Sequence, residues 1–168
     1  ITGSHIDLLS NGVKFFAFNE EISKKHEQEI TDIYNNLEGK TSYPAEEPEL
    51  PPLDPSGFNN YVKLLISLAK GTGKKYKIVV DPGNGVQTEV VGQVLEKLGH
   101  NLVMINGDLK KELLSRDTEA DGSFKELQGK VVSENADFGI GFDTDGDRII
   151  FVDHLGQFIS GDYSGTLM

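Results

Sequence analysis

Residues 137–153 read DFGIGFDTDGDRIIFVD: an apolar run, a loop carrying three aspartates, and a second apolar run. Asp143, Asp145 and Asp147 stand at alternate positions between the two runs. In extended or turning backbone, alternate side chains project to one side, so the three carboxylates converge on one point. Three unbalanced anions repel one another there. The arrangement becomes favourable when a hard divalent cation occupies that point, with oxygen ligands from carboxylate and phosphate. Gly146 lets the loop turn tightly, and Arg148 follows as a fixed planar cation suited to bidentate phosphate binding. The stretch predicts strand, Mg²⁺-phosphate loop, strand.

Two other readings compete. A lone acidic loop is most often a solvated turn. An EF-hand also begins D-x-D-x-D, but it needs glycine at the sixth position and glutamate at the twelfth. Here those positions hold Arg148 and His154, and the flanks are strands rather than helices. A metal site fits the pattern better than either.

Outward from the loop, helix and strand alternate. The spacing of apolar residues predicts a helix over Phe58–Lys70, a strand over Tyr76–Val80, and a helix over Val86–Leu98 with Val90, Val91, Val94, Leu95 and Leu98 inward. A strand over Leu102–Ile105, a helix over Ser123–Asn135 and a strand over Phe138–Phe142 follow. Such alternation implies right-handed crossovers and a parallel sheet. Ile149–Val152 and Gln157–Ile159, around Asp153-His154-Leu155-Gly156, read as a hairpin. The aspartates thus fall at the carboxyl end of a sheet strand, where open α/β sheets bind ligands. Gly83 and Gly85 in DPGNGVQT lack the third glycine of a dinucleotide fingerprint, since Thr88 stands there. They read as a strand-to-helix turn built for close backbone approach.

Five of the six prolines (Pro44, Pro48, Pro51, Pro52, Pro55) fall in GKTSYPAEEPELPPLDPSG, which reads as a semi-rigid linker over residues 39–56. Before it, Val13–Phe18 reads as a short strand, followed by a helix with Ile22, His26, Ile30, Ile33 and Leu37 on one stripe. One strand and one helix cannot bury a core. Residues 1–38 are therefore expected to be the C-terminal piece of a preceding α/β domain, and an initial Ile1 agrees with a fragment. Residues 57–160 form the expected α/β domain, and residues 161–168 start a further connection.

The chain has no cysteine, so disulfides and thiol catalysis are excluded. No apolar run approaches membrane-spanning length. A net charge of −11 argues against nucleic acid or an anionic membrane as partner. That charge also opposes a phosphorylated substrate, so local cations must bind one. The N-terminal third is the more acidic: residues 1–56 carry 4 Lys+Arg against 11 Asp+Glu, net −7, and residues 57–168 carry 12 against 16, net −4.

GIGFDTDGDR resembles the metal-binding loop of the α-D-phosphohexomutases, and ITGSHIDLLSNGVKFF is similar to their phosphoserine loop, T-G-S-H-I-P followed by N-G-x-K-F. NEEISKKHEQEI, DPGNGV, SRDTEADGSFKEL and GQFISGD also have family counterparts. The resemblance implies that Ser4 carries the transferable phosphate and offers an oxygen to the metal. It makes His5 a phosphate- or proton-handling neighbour, Lys14 an acid/base or substrate contact, and Arg148 a phosphate holder. Asp143, Asp145 and Asp147 become ligands of one Mg²⁺. Asp7-Leu8-Leu9-Ser10 departs from the family's Pro-x-Asp-Arg and removes one positive charge from that loop.

The implied activity is a cytoplasmic intramolecular phosphotransferase, interconverting hexose 6-phosphate and hexose 1-phosphate through a hexose bisphosphate. The T-G-S-H-I form leans toward mannose phosphates, by resemblance alone, with glucose and glucosamine phosphates left open. Family members have third and fourth domains, for sugar and distal phosphate, that these residues do not contain. The fragment alone is therefore expected to be inactive. The alternative is a non-catalytic metal-binding or interaction module derived from such an enzyme.

Overall fold

A computed structural model of the chain describes residues 12–37, 49, 52, 54–69 and 73–167. The described residues divide into two units, one before Pro55 and one from Pro55 onward. In the first, β1 (Phe16–Ala17) pairs antiparallel with β2 (Glu20–Glu21). Phe18 and Asn19 turn between them with φ of 56° and 67°, the paired positive values that a two-residue hairpin of the strands' own twist requires. The strand expected over Val13–Phe18 is thus cut to two residues, because the chain reverses at Phe18.

Helix α1 (Lys24–Leu37) follows, with the Ser23 hydroxyl accepting from His26 N–H at 3.5 Å at its start. The expected apolar stripe is present but mostly uncovered. Ile22 and Ile30 are half-buried, whereas His26, Ile33 and Leu37 are exposed.

The second unit is an α/β/α sandwich. Its elements are α2 (Ser56–Leu68), β3 (Lys77–Asp81), α3 (Gln87–Lys97), β4 (Asn101–Met104), a 3₁₀ turn (Asp121–Phe124), α4 (Lys125–Ser133), β5 (Phe138–Phe142), β6 (Ile149–Asp153), β7 (Phe158–Ile159) and α5 (Gly161–Leu167). The sheet runs β4-β3-β5-β6-β7. Period-two alternation splits each strand between two cores. Ile78, Val80, Ile140 and Phe142 face one side, with Val91 and Leu95 of α3 packed against them. Val79, Ile150 and Val152 face the other, under Phe124 and under Leu127 and Val131 of α4.

The expected parallel sheet holds for β4, β3 and β5, which are mutually parallel, and the expected hairpin is the antiparallel β6–β7 pair; β6 also runs antiparallel to β5, which makes the sheet mixed. The sheet is mixed for a reason of length. Only residues 143–148 separate β5 from β6, and a parallel crossover needs a dozen or more. The loop with the aspartates is therefore the tight return of an antiparallel pair.

Candidate functional site

Three parallel strands end at the same edge of the sheet, and their following loops build the site together. Asp81 is paired in register with Gly141, so the Pro82–Val86 turn after β3 lies beside the Asp143–Arg148 loop after β5. Gly85 has no room for a side chain: a Cβ there would press into the Thr144 carbonyl and lie 3.0 Å from the Pro82 carbonyl oxygen. The Val86 N–H donates to the Thr144 carbonyl at 3.2 Å. The Gln87 side-chain amide donates to the Gly146 carbonyl at 3.1 Å. The expected close backbone approach at DPGNG is present, and what approaches is the aspartate loop.

Asp143, Asp145 and Asp147 each offer a carboxylate oxygen, and these oxygens all lie within 4.8 Å of one another. Their burial is graded: Asp143 is buried, Asp145 half-buried and Asp147 exposed. Asp143 is only 1% exposed, and a merely solvated turn has no cause to bury its leading carboxylate. The Arg148 N–H donates to Asp143 Oδ1 at 3.2 Å and closes the loop, while Gly146 turns it at φ 72°. The Asp147 carboxyl is raised above its ordinary value by loss of solvent, then by its hydrogen bond with Asp143 and the charges of Asp145 and Asp143; Arg148 opposes the shift. Such crowding of hard oxygen donors suits a divalent cation, and the residues fit one.

Behind this front stands a buried polar network. Asp81 is fully buried and accepts from Gly83 N–H at 3.1 Å and from the Asn106 amide at 3.3 and 3.2 Å on its two oxygens. Arg116 Nη1 lies 2.6 Å from Asp81 Oδ2, and its guanidinium sits 5.2 Å from the centre of the Phe124 ring. Burial pushes the Asp81 carboxyl up; Arg116, Gly83 and Asn106 pull it back down. Asn84 is held by Asn106 O at 2.6 Å through its own N–H, and its side-chain amide donates to Glu112 O at 2.8 Å. Sequence reasoning assigned no role to Asp81, Asn106 or Arg116. One signal was available, because Arg116 and Arg148 are the chain's two arginines among sixteen Lys+Arg.

The two arginines line one open cleft with Ser115, Asp117 and Glu119. A second cleft extends from Arg148 along Thr118, Ile150, Ser160 and Asp162. A groove of ≈ 580 Å³ lies at the other end of the strands, among Tyr76, Leu95, His100 and Phe138, away from the carboxylate cluster. Of the remaining candidates, Lys14 is exposed and belongs to the first unit. Ser4 and His5 lie outside the described residues, as does most of the proline-rich linker. Among the described residues no helix is long and apolar enough to cross a membrane.

A family model described as phosphoglucomutase/phosphomannomutase, alpha/beta/alpha domain II, matches residues 57–156. The phosphoglucosamine mutase of Shigella dysenteriae serotype 1 (strain Sd197) is 34% identical over 177 residues, covering 96% of this chain and 36% of that protein. That of Citrobacter koseri is 34% identical over 182 residues, with the same coverage. Among solved structures, a phosphoglucomutase/phosphomannomutase family protein from Burkholderia thailandensis matches with a TM-score of 0.73 at 25% identity, over 94% of this chain and 33% of that one. The chain spans about a third of the length of these relatives.

Proposed function

This chain belongs to the phosphoglucomutase/phosphomannomutase family, and from that premise we propose that it serves phosphoryl transfer between the two ends of a hexose monophosphate. The observation that carries the reading is the convergence of Asp143, Asp145 and Asp147 at the carboxyl edge of the sheet. In this proposal the three carboxylates hold one Mg²⁺ together with an oxygen of phosphorylated Ser4. When bound, the ion supplies Lewis acidity and a fixed positive point beside the transferring phosphoryl group.

The chain's own residues account for the rest. The Ser4 Oγ–P bond breaks as a sugar hydroxyl oxygen bonds to phosphorus, leaving a hexose bisphosphate. His5 and Lys14 are the groups offered for the hydroxyl proton. The sugar then reorients, its original O–P bond breaks as Ser4 Oγ bonds to that phosphorus, and the freed sugar oxygen takes the proton back. Arg148, at the exit of the loop, moderates the repulsion between an acidic site and an anionic substrate.

On the sugar itself, the relatives' names point to glucosamine phosphate beside the mannose and glucose phosphates that the sequence resemblance favours. The test is a side-by-side assay of mannose, glucose and glucosamine 1- and 6-phosphates, with Mg²⁺ and a trace of the matching bisphosphate. It uses the protein at the length found in cells and its Ser4→Ala variant. Turnover of at least one pair, abolished in Ser4→Ala with little change in melting, is expected. Cation binding without turnover of any pair would instead favour a non-catalytic module.

A further inference from the structure

The carbonyls of Thr144 and Gly146 alternate with the three aspartates along the loop, and both are taken by the start of α3. Thr144 O accepts from the Val86 backbone at 3.2 Å, and Gly146 O accepts from the Gln87 side chain at 3.1 Å. Committing both carbonyls to α3 fixes the peptide planes that lead into Asp145 and into Asp147. It leaves the carboxylates as the oxygens that converge. The Gln87 stem also lies flat over Gly146, where a Cβ would strike its Cγ and lie 2.7 Å from its amide nitrogen. Gln87 reaches the loop across 59 residues of sequence, so this is a tertiary contact rather than a turn's local geometry.

We infer that Gln87 is a positioning residue for the cation centre, holding the aspartate loop in its binding shape without itself being a ligand. The inference rests on the metal reading of the loop. Groups that orient ligands from behind typically change metal affinity about 10- to 100-fold when removed. A single neutral hydrogen bond sits at the low end of that range.

The test is Mn²⁺ binding, followed by loss of the free-ion electron paramagnetic resonance signal, alongside thermal melting of the metal-free chain. The variants are Gln87→Met, which keeps the stem over Gly146 but loses the donor, and Gln87→Asn, which keeps the amide but falls short of the carbonyl. Asp145→Asn defines the binding that belongs to the loop. Both Gln87 variants should bind Mn²⁺ about tenfold more weakly while melting close to wild type. Equal affinity in wild type and both variants overturns the inference and leaves the metal centre standing. Affinity lost only together with the fold also overturns it, since Gln87 would then serve the fold in general. A wild type that binds no Mn²⁺ beyond Asp145→Asn overturns the metal centre and this role with it.

Discussion

A carboxyl group with no solvent contact has to be balanced where it stands, and Asp81 is balanced by Arg116 at 2.6 Å, the Asn106 amide and the Gly83 N–H. Burial is still the largest influence and raises its pKa above the ordinary 3.8. Between 3.8 and the raised value the folded chain keeps a proton that the unfolded chain has released. This group's contribution to stability therefore falls as pH rises through that interval and is level above it. Removing the opposing cation widens the interval upward. Arg116→Met should cost about 3 kcal/mol at pH 7, the scale for breaking one partner of a buried pair, and less near pH 4, because acid moves the raised Asp81 carboxyl toward its protonated form. Urea unfolding at the two pH values checks this, and a cost independent of pH would contradict it. The aspartate triad was legible in the sequence because its alternation is local. The Asp81–Arg116 pair joins positions 35 residues apart across three loops, and nothing in residue spacing marks such a partnership.

The elements explain a second oddity, the two glycines inside β5. Gly139 and Gly141 both face the side covered by α4 and the 3₁₀ turn. A Cβ at Gly139 would lie 2.6 Å from Val131 Cγ2, and one at Gly141 2.6 Å from Phe124 Cε1 and 3.0 Å from Ile150 Cδ1. Backbone preference alone favours replacing a strand glycine with alanine, by about 0.5–1 kcal/mol. Overpacking a tight core costs about 1–3 kcal/mol, so packing should win. Gly141→Ala is expected to lower unfolding free energy by about 1–2 kcal/mol in a urea titration; a stabilised variant would show that α4 is free to lift.

At this scale the elements from α2 to β7 were readable from periodicity, with ends displaced by up to two residues, whereas α5 falls where only a connection was expected. The antiparallel pairing of β5 with β6 was readable only by counting the six residues of the loop. The first unit was less legible. A run of apolar residues at 13–18 looks like one strand, and only the positive φ of Phe18 and Asn19 shows that the chain turns back within it.

For the whole molecule, charge is the organising fact. A chain of net charge −11 gathers three carboxylates within 4.8 Å and buries the first of them. Fold alone does not ask for this arrangement. Bound cation would relieve the repulsion and stabilise the folded state in proportion to its occupancy. The chain matches its relatives over about a third of their length, so the cation centre is the part of the proposed phosphoryl transfer that these residues can be asked to show directly. The decisive measurement is calorimetric titration of Mg²⁺ into the wild-type chain and into Asp145→Asn. The account predicts saturable binding of one ion per wild-type chain and its loss in the variant; the same heats in both would contradict it.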